Sequence, residues 1–102
     1  MTEENEGKPG KDAQVGPVLR TGAVADAVLT ALRQLNPGME VLDRGSYARV
    51  SAPGRCVLTR EAVERLLGRP FRFPGEVEMI MPAYRGRMRM GEDEIEWRQA
   101  EP

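Results

Sequence analysis

The fold is decided by residues 21–38, which read TGAVADAVLTALRQLNPG. Apolar side chains recur there at intervals of three and four residues, which predicts one buried stripe along an α-helix. The stripe comprises Val24, Val28, Ala31, Leu32 and Leu35. Thr21 is the predicted N-cap, and the Asn-Pro-Gly sequence at 36–38 is the predicted stop, because proline disfavours helix in the residue before it. We therefore predict a helix over residues 21–36.

A second helix is predicted after Thr59, a favoured N-cap residue, with Glu61 in the first turn, where the helix dipole stabilises a carboxylate. Gly68 suits the left-handed position at the end of this helix, and Pro70 follows two residues later. The buried stripe is predicted to comprise Ala62, Val63, Leu66 and Leu67. This segment is therefore a shorter helix, followed by an aromatic loop at residues 71–75.

Strand patterns surround the two helices. Alternating or short apolar runs predict strands in residues 15–20, 39–43, 46–51, 76–81, 87–90 and 94–98. Residues 55–58 form a brief extended stretch before the second helix, so that two or three strands lie between the helices. In the third of these strands, Ala48 and Val50 are predicted to face one way and Tyr47, Arg49 and Ser51 the other. In the last two, the residues predicted to face inward are Met88, Met90, Ile95 and Trp97. The arginines and glutamates of that closing hairpin, Glu96 among them, are predicted to face outward.

These elements predict an α+β fold in the order β-α-β-β-α-β-β-β, with two helices packed on one side of a largely antiparallel sheet. The length of 102 residues suits one small domain. Residues 1–14 are mostly polar and charged, and we expect them to form a disordered N-terminal tail. The folded domain is predicted to span residues 15–99, with residues 100–102 as the C-terminal end.

Composition excludes several classes of function. The sequence contains no histidine and one cysteine, Cys56, which removes the commonest general base and most transition-metal sites. Cys56 lies in an apolar stretch and is expected to be a buried, unreactive side chain. We therefore predict no catalytic residue, no metal and no cofactor. Since the chain has no membrane-length apolar run, no signal-like N-terminus and no disulfide pair, we expect it to be cytoplasmic.

Arg85, Arg87 and Arg89 would project from one face of a strand with a period of two. They could bind phosphate or an acidic protein surface. The alternative is that they form cross-strand pairs with Glu78, Glu94 and Glu96, and the residue pattern slightly favours this interpretation. Since 15 Lys+Arg and 16 Asp+Glu leave a net charge of -1, the composition argues against a nucleic-acid-binding domain.

Short matches to one known family are spread over residues 15–97. The densest is Leu-Gly-Arg-Pro-Phe at residues 67–71. The others are Val15-Gly16-Pro17, Arg20, Asn36-Pro37-Gly38, Asp43-Arg44, Tyr47, Arg49, Leu58-Thr59-Arg60, Glu76, Glu78, Tyr84, Gly86, Glu92-Asp93 and Ile95. In these residues the chain resembles the effector, or coupling, proteins of bacterial multicomponent diiron monooxygenases, and most closely the effector component of toluene monooxygenases.

The resemblance implies a regulatory component without a cofactor or an active site of its own. Such a protein docks on the diiron hydroxylase over its metal centre, raises turnover and improves coupling to hydroxylation of an aromatic hydrocarbon. It implies a monomer when free, and it leaves open competition with the ferredoxin or reductase of the system. Physically, an effector that binds one hydroxylase conformation more tightly shifts the population toward that conformation.

The residues predicted to contact the partner combine the helix-end loops with surface arginines and an aromatic side chain. They are Asn36, Pro37, Gly38, Arg44, Tyr47, Gly68, Arg69, Pro70, Phe71 and Arg85. Arginine and aromatic residues dominate the energy of protein interfaces, which favours this assignment. For Pro37, Gly68 and Pro70, termination of a helix explains the residue type at least as well.

Two other classes of function fit parts of the sequence. A ferredoxin-like regulatory domain that binds a small molecule has a similar order of elements, although the additional C-terminal hairpin argues against it. A nucleic-acid-binding module would depend on the arginine strand and Tyr84 alone.

Overall fold

The computed structural model describes residues 13–100 and confirms an α+β domain. Its elements are β1 (Gln14–Arg20), α1 (Ala23–Leu35), β2 (Glu40–Asp43), β3 (Tyr47–Pro53), β4 (Arg55–Thr59), α2 (Arg60–Leu67), α3 (Gly75–Ile80), β5 (Ala83–Arg85), β6 (Arg87–Met90) and β7 (Glu94–Arg98). Most of the predicted tail lies outside the described residues, and β1 begins one residue before the predicted boundary. Within the described part, no helix is long and apolar enough to cross a membrane.

The first helix has most of the predicted buried stripe but a different N-terminus. Val28, Ala31 and Leu32 are buried as predicted, together with Ala25, as an amphipathic helix requires. The prediction of a buried Leu35 is wrong, because this side chain is 38% exposed at the end of the helix. The prediction that Thr21 caps the helix is wrong, because Gly22 occupies the N-cap position and no side chain caps the helix there. The Thr21 hydroxyl instead donates to the carbonyl of Gly45, at 2.9 Å. It thereby connects the start of α1 to the turn between β2 and β3.

The second helix has the predicted ends. The Thr59 hydroxyl accepts a hydrogen bond from the Ala62 N–H at 3.2 Å, and Gly68 adopts φ +69 at the C-terminus. Both features are typical of helix caps. Ala62 is buried as predicted, whereas Leu66 is 40% exposed. The prediction of a buried Leu66 is therefore wrong, and the buried surface of this helix is narrower than its sequence indicated.

The strand predicted at residues 76–81 is wrong, since the structure forms α3 there. Val77 is buried and Ile80 is half-buried, a spacing of three that places both on one helical face. Met79, which the alternating pattern placed beside Val77, is 77% exposed. At the start of the helix, the Glu76 carboxylate accepts a hydrogen bond from the backbone N–H of Arg72 at 2.8 Å. The chain therefore contains three described helices rather than the predicted two.

The strands form two antiparallel sheets rather than one. The first has the order β2-β3-β1-β5, and the second has the order β4-β7-β6. The chain passes directly from the first sheet to the second twice, between β3 and β4 and at Gly86, between β5 and β6. Gly86 has φ +99, and a Cβ atom there would lie 2.7 Å from the carbonyl oxygen of Arg98. Only glycine tolerates both the backbone angle and this close approach.

The core lies between the inner faces of the two sheets and the helices. In the first sheet, Leu19 faces Ala48 across the strands, and both side chains are buried. In the second, Cys56 is paired with Trp97 and Leu58 with Ile95, all of them inaccessible to solvent. The predicted inward orientation of Trp97 and Ile95 is confirmed. The outer face of each sheet is left for contact with solvent or with other molecules.

Candidate functional site

The outer face of the four-stranded sheet combines arginine, aromatic and small apolar side chains. Strand alternation and register place its members on the same side, opposite to the core. We call this surface the outer sheet face, and its central residues are Val18, Arg20, Tyr47, Arg49, Ala83 and Arg85. In the register, Tyr47 lies opposite Arg20, and Val18 lies between Arg49 and Ala83.

A groove of about 490 Å³ runs along this face. Its lining residues are Val18, Arg20, Ser46, Tyr47, Arg49, Pro82 and Ala83. Tyr47 is half-buried, so its ring is held by the sheet, while Arg20 and Arg49 are exposed. Neither arginine forms an ion pair with a carboxylate of residues 13–100. The groove therefore offers an ordered aromatic ring beside two guanidinium groups that are available for a partner.

Arg85 lies at the other end of the same face. In the register, Gly16 of β1 is the partner of Arg85 on β5, and Ser51 of β3 lies on the other side of Gly16. Because Gly16 has no side chain, the Arg85 guanidinium extends across β1 and donates to the Ser51 hydroxyl. Glu40 is the β2 residue paired with Ser51, so one carboxylate accompanies the three arginines of the outer sheet face. The face consequently has an excess of positive charge.

The loop that follows α1 does not expose all of its predicted contact residues. Asn36 is buried, and its side-chain amide donates to the carbonyl oxygens of Leu32 at 2.9 Å and of Val57 at 2.8 Å. The amide oxygen of Asn36 accepts a hydrogen bond from the Val57 N–H at 2.9 Å. Pro37 and Gly38 are exposed. Asn36 therefore joins the end of α1 to β4, and its side chain does not reach the surface.

The loop that follows α2 also contains both buried and exposed predicted contact residues. Phe71 is only 3% exposed and belongs to the core, and its N–H donates to the Glu64 carboxylate at 2.9 Å. Gly68, Arg69 and Pro70 are exposed. The Arg69 guanidinium donates to the carbonyl of Pro70 at 2.8 Å and lies 3.6 Å from the Glu76 carboxylate. Arg69 is thus accessible, although it already has two local partners.

Of the predicted contact residues, the structure brings Tyr47 and Arg85 onto one face. Arg44 lies beside Tyr47 in the turn between β2 and β3, where its N–H donates to the carbonyl of Tyr47 at 2.8 Å. Sequence reasoning did not assign contact roles to Val18, Arg20, Arg49 or Ala83. The outward positions of β3 were predictable from its alternation, but their neighbours on β1 and β5 depend on strand pairing.

A second charged surface covers the outer face of the three-stranded sheet. Its members alternate with the core residues of β4, β6 and β7. We call it the arginine face, and it consists of Arg55, Arg87, Arg89 and Arg98 around Glu96. Arg85, which the sequence placed in line with Arg87 and Arg89, belongs to the other sheet. The predicted cross-strand pairs of Arg85, Arg87 and Arg89 with Glu78, Glu94 and Glu96 do not occur among the described residues, where Glu96 pairs with Arg55 and Arg98 instead.

Glu96 lies at the centre of the arginine face, so its predicted outward orientation is confirmed, although it is only 6% exposed. Its carboxylate accepts a hydrogen bond from the Nε group of Arg55 and forms an ion pair with the Nε group of Arg98 at 3.1 Å. The hydrogen bond from Arg55 is the main cause that lowers the pKa of Glu96 below its ordinary value of 4.5, and Arg98 acts in the same direction.

The lowered pKa of Glu96 predicts a pH dependence of stability. A carboxyl group with a lower pKa in the folded state stabilises the fold above its ordinary pKa of 4.5 and loses this contribution as the pH falls through the folded value. We expect Glu96→Gln to be less stable than the original chain at neutral pH, with the difference shrinking in acid. Urea unfolding of both proteins at a series of pH values measures this difference in stability. An unchanged difference across that range would contradict the ionic role of Glu96.

Cys56 is fully buried, and burial raises the pKa of its thiol to about 12. A thiol with so high a pKa is protonated at neutral pH and is a poor nucleophile. No group of three or more His, Cys, Asp or Glu side chains that could hold a metal ion occurs in the described part of the chain. What the arrangement offers chemically is recognition, through arginine and tyrosine side chains on two sheet faces.

The fold and these surfaces define a small binding domain, and comparison with known proteins identifies its family. The model of the MmoB/DmpM family matches residues 13–98. The chain therefore belongs to the MmoB/DmpM family. It is an effector component of a multicomponent monooxygenase and not a catalytic subunit, as the resemblance in the sequence indicated.

One relative is the effector subunit of an alkene monooxygenase system from Xanthobacter autotrophicus (strain ATCC BAA-1158 / Py2). It is 42% identical over 85 residues, which cover 81% of this chain and 83% of the relative. A chain in the structure of a phenol hydroxylase–regulatory protein complex has a TM-score of 0.78 at 22% identity, covering 85% of this chain and 99% of that chain. The regulatory protein B of soluble methane monooxygenase has a TM-score of 0.64 at 20% identity, and the match covers 98% of this chain and 74% of that chain. These two structures share the fold of the present chain.

Proposed function

We propose that the protein docks on the diiron hydroxylase of its monooxygenase through the outer sheet face. The observation that carries this proposal is the groove in which half-buried Tyr47 lies beside Arg20 and Arg49. Aromatic and arginine side chains are enriched among residues that dominate binding energy. Membership of an effector family supplies the class of partner, since the phenol hydroxylase structure contains a regulatory protein in complex with its hydroxylase.

Docking regulates the hydroxylase by linkage. If the outer sheet face fits one hydroxylase conformation better than another, binding stabilises that conformation by the difference in binding free energy. In this proposal, the favoured conformation is the one that couples oxygen activation to hydroxylation, over the diiron centre. The effector supplies contacts and the hydroxylase supplies the metal, which agrees with a described surface made of arginine, tyrosine and apolar groups.

The substrate class follows from the system in which the effector works. The 42% identical relative belongs to an alkene monooxygenase system, which supports a hydrocarbon substrate for the partner hydroxylase. The closer assignment to a toluene-type system stays a prediction. Oxidation of toluene and of a short alkene by the partner hydroxylase, each with and without the effector, tests it directly. We place the complex in the cytoplasm, where the buried thiol of Cys56 remains reduced.

The test of docking is Tyr47→Ala combined with Arg49→Ala. If these side chains are binding hot spots, their loss weakens binding by about 2 kcal/mol or more, since hot spots are defined by that cost. The effector concentration for half-maximal hydroxylation would then rise about thirtyfold. The maximal rate at saturation should be unchanged, because the variant still selects the same hydroxylase conformation. Titration of hydroxylase activity with each effector variant measures both quantities.

The matched control is Arg69→Ala, which removes an exposed arginine outside the outer sheet face. Arg69 was itself a predicted contact residue, so this variant also decides between the two surfaces. A normal titration for Arg69→Ala with a weakened one for the Tyr47 and Arg49 variant supports the outer sheet face. The reverse result would move docking to the loop after α2. Circular dichroism of every variant ensures that the comparison is made between folded proteins.

A further inference from the structure

The arginine face contains more arginines than its single buried carboxylate pairs with. Arg55 donates a hydrogen bond to Glu96, and Arg98 forms an ion pair with it. Arg89 is the register partner of Glu96, yet neither Arg89 nor Arg87 forms an ion pair with any carboxylate of the described residues. Since Arg55 and Arg98 already pair with Oε2 of Glu96, Arg87 and Arg89 remain for an external anion.

Arg87 and Arg89 belong to a strand whose outer edge is open. β6 is the last strand of its sheet, and within residues 13–100 it pairs only with β7. The two arginines are two residues apart and therefore point to the same side, about 7 Å apart along the strand. An extended peptide with carboxylates two residues apart has the same side-chain spacing.

The backbone of β6 is also oriented for pairing. At the hairpin, the N–H of Gly91 donates to the carbonyl of Glu94 at 2.8 Å. In an antiparallel ladder, residues alternate between those bonded to the partner strand and those whose N–H and C=O groups point away. Counting back from Gly91, the backbone groups of Met88 and Met90 point to the open edge. An added strand would find hydrogen-bonding groups there, beside the two arginines.

A groove of about 350 Å³ lies on this face next to the edge strand. Its lining residues are Arg87, Met88, Arg89, Glu96, Arg98 and Gln99. Met88 is half-buried, and its side chain lies on the core side of the sheet with Trp97, so it borders the groove only at the edge of β6. The groove thus combines positive charge with an open backbone edge.

From these observations we propose that β6 binds an extended acidic segment of a partner protein as an added strand. Carboxylates two residues apart on that segment would contact Arg87 and Arg89, and its backbone would pair with Met88 and Met90. Strand addition of this kind derives affinity from main-chain hydrogen bonds and specificity from alternate side chains. A free phosphate or carboxylate would use only the arginines. The open edge therefore favours a peptide, and this surface is separate from the outer sheet face proposed to dock on the hydroxylase.

The experiment uses the full chain, labelled with nitrogen-15, and a synthetic peptide of alternating Glu and Val. A peptide of alternating Gln and Val is the matched ligand control. We expect the Glu peptide to shift the amide signals of Met88 and Met90 in NMR spectra and the Gln peptide to bind at least about tenfold more weakly, because charged pairs are stronger than neutral ones. Equal binding of the two peptides, or no binding of the Glu peptide, would overturn the proposal.

Two protein variants with the same change of net charge complete the test. Arg87→Gln combined with Arg89→Gln should weaken binding of the Glu peptide about tenfold, from the loss of two exposed charge pairs. Arg33→Gln combined with Arg72→Gln removes two exposed arginines elsewhere and should leave binding within about twofold. Equal losses in both variants would mean that the peptide responds only to overall charge, and the proposal would fail.

The other segment that could occupy the edge of β6 belongs to the chain itself, since Glu4 and Glu6 are also two residues apart. Glu4→Gln combined with Glu6→Gln decides this point in the absence of any peptide. If the amide signals of Met88 and Met90 are unchanged in that variant, the edge is available to a partner, as proposed. A shift of those signals would assign the edge to the chain's own acidic residues and would overturn the proposal.

Discussion

Phe71→Ala should lower the free energy of unfolding by about 3–5 kcal/mol, the usual cost of deleting a buried phenylalanine ring. Phe71 is 3% exposed and belongs to the main hydrophobic cluster, with its ring centre 6.3 Å from that of Phe73. Removal of the ring leaves a cavity that its neighbours fill only in part. Urea unfolding followed by tryptophan fluorescence measures the loss, because Trp97 lies in the same cluster.

A second substitution keeps this prediction testable if the alanine variant does not fold. Phe71→Leu retains much of the apolar volume and should cost less than Phe71→Ala, about 1–2 kcal/mol. Activation of the hydroxylase by folded Phe71→Leu should require the same effector concentration as the original chain. A stable Phe71 variant that activates only at a much higher concentration would return this residue to the docking surface.

Local patterns predicted those elements whose ends and faces are determined within a few residues. The stripe of α1, the Thr59 cap and the left-handed Gly68 each depend on neighbours in sequence. The inward face of β7 followed from alternation in the same way. These features were therefore available from the sequence before any long-range contact was known.

The helix α3 shows where local pattern is insufficient. Val77, Met79 and Met81 fit a period of two, whereas Val77 and Ile80 fit a helix equally well over six residues. A segment this short contains fewer than two helical turns, so its period is ambiguous. Packing of Val77 against the core decides the outcome, together with the hydrogen bonds at Pro74 and Glu76 that begin the helix. Neither contribution can be read from the alternation.

The candidate site was only partly predictable for a related reason. Tyr47 and Arg49 were placed on one side of a strand, but the pairing of β1 with both β3 and β5 brings Arg20 and Arg85 to the same face. Pairing between distant strands leaves no short-range pattern in the sequence. Burial of Asn36 depends likewise on a contact with Val57, 21 residues away. An Asn-Pro-Gly sequence after a helix indicates a stop, and it gives no information about where the asparagine side chain points.

Asn36→Ala should lower the free energy of unfolding by about 2–4 kcal/mol, because the substitution leaves partly buried backbone groups without partners. The N–H and the carbonyl of Val57 both lose the hydrogen bond that the Asn36 amide provides. The carbonyl of Leu32 keeps one partner, since it also accepts from the backbone N–H of Asn36 at 2.9 Å. The expected cost is therefore that of two groups on Val57 rather than three.

The control is Pro37→Ala, which changes the adjacent exposed residue and leaves the Asn36 amide intact. Surface substitutions usually alter stability by about 0.5 kcal/mol or less, so Pro37→Ala should unfold close to the original chain. If Asn36→Ala retained full stability and raised the effector concentration needed for activation, the loop after α1 would be a docking element.

Asn36→Asp separates the two directions of hydrogen bonding at this position. The carboxylate can still accept from the Val57 N–H, but it cannot donate, and it would lie beside the carbonyl oxygens of Leu32 and Val57. Those carbonyl dipoles and burial both disfavour the charged form, which raises the pKa of the introduced carboxyl above its ordinary value. A group with a raised pKa in the folded state regains stability as the pH falls, since the protonated carboxyl can donate again. Asn36→Asp should therefore recover stability, relative to Asn36→Ala, on going from neutral to acidic pH. A constant difference between the two variants would show that the donated hydrogen bonds contribute little to the fold.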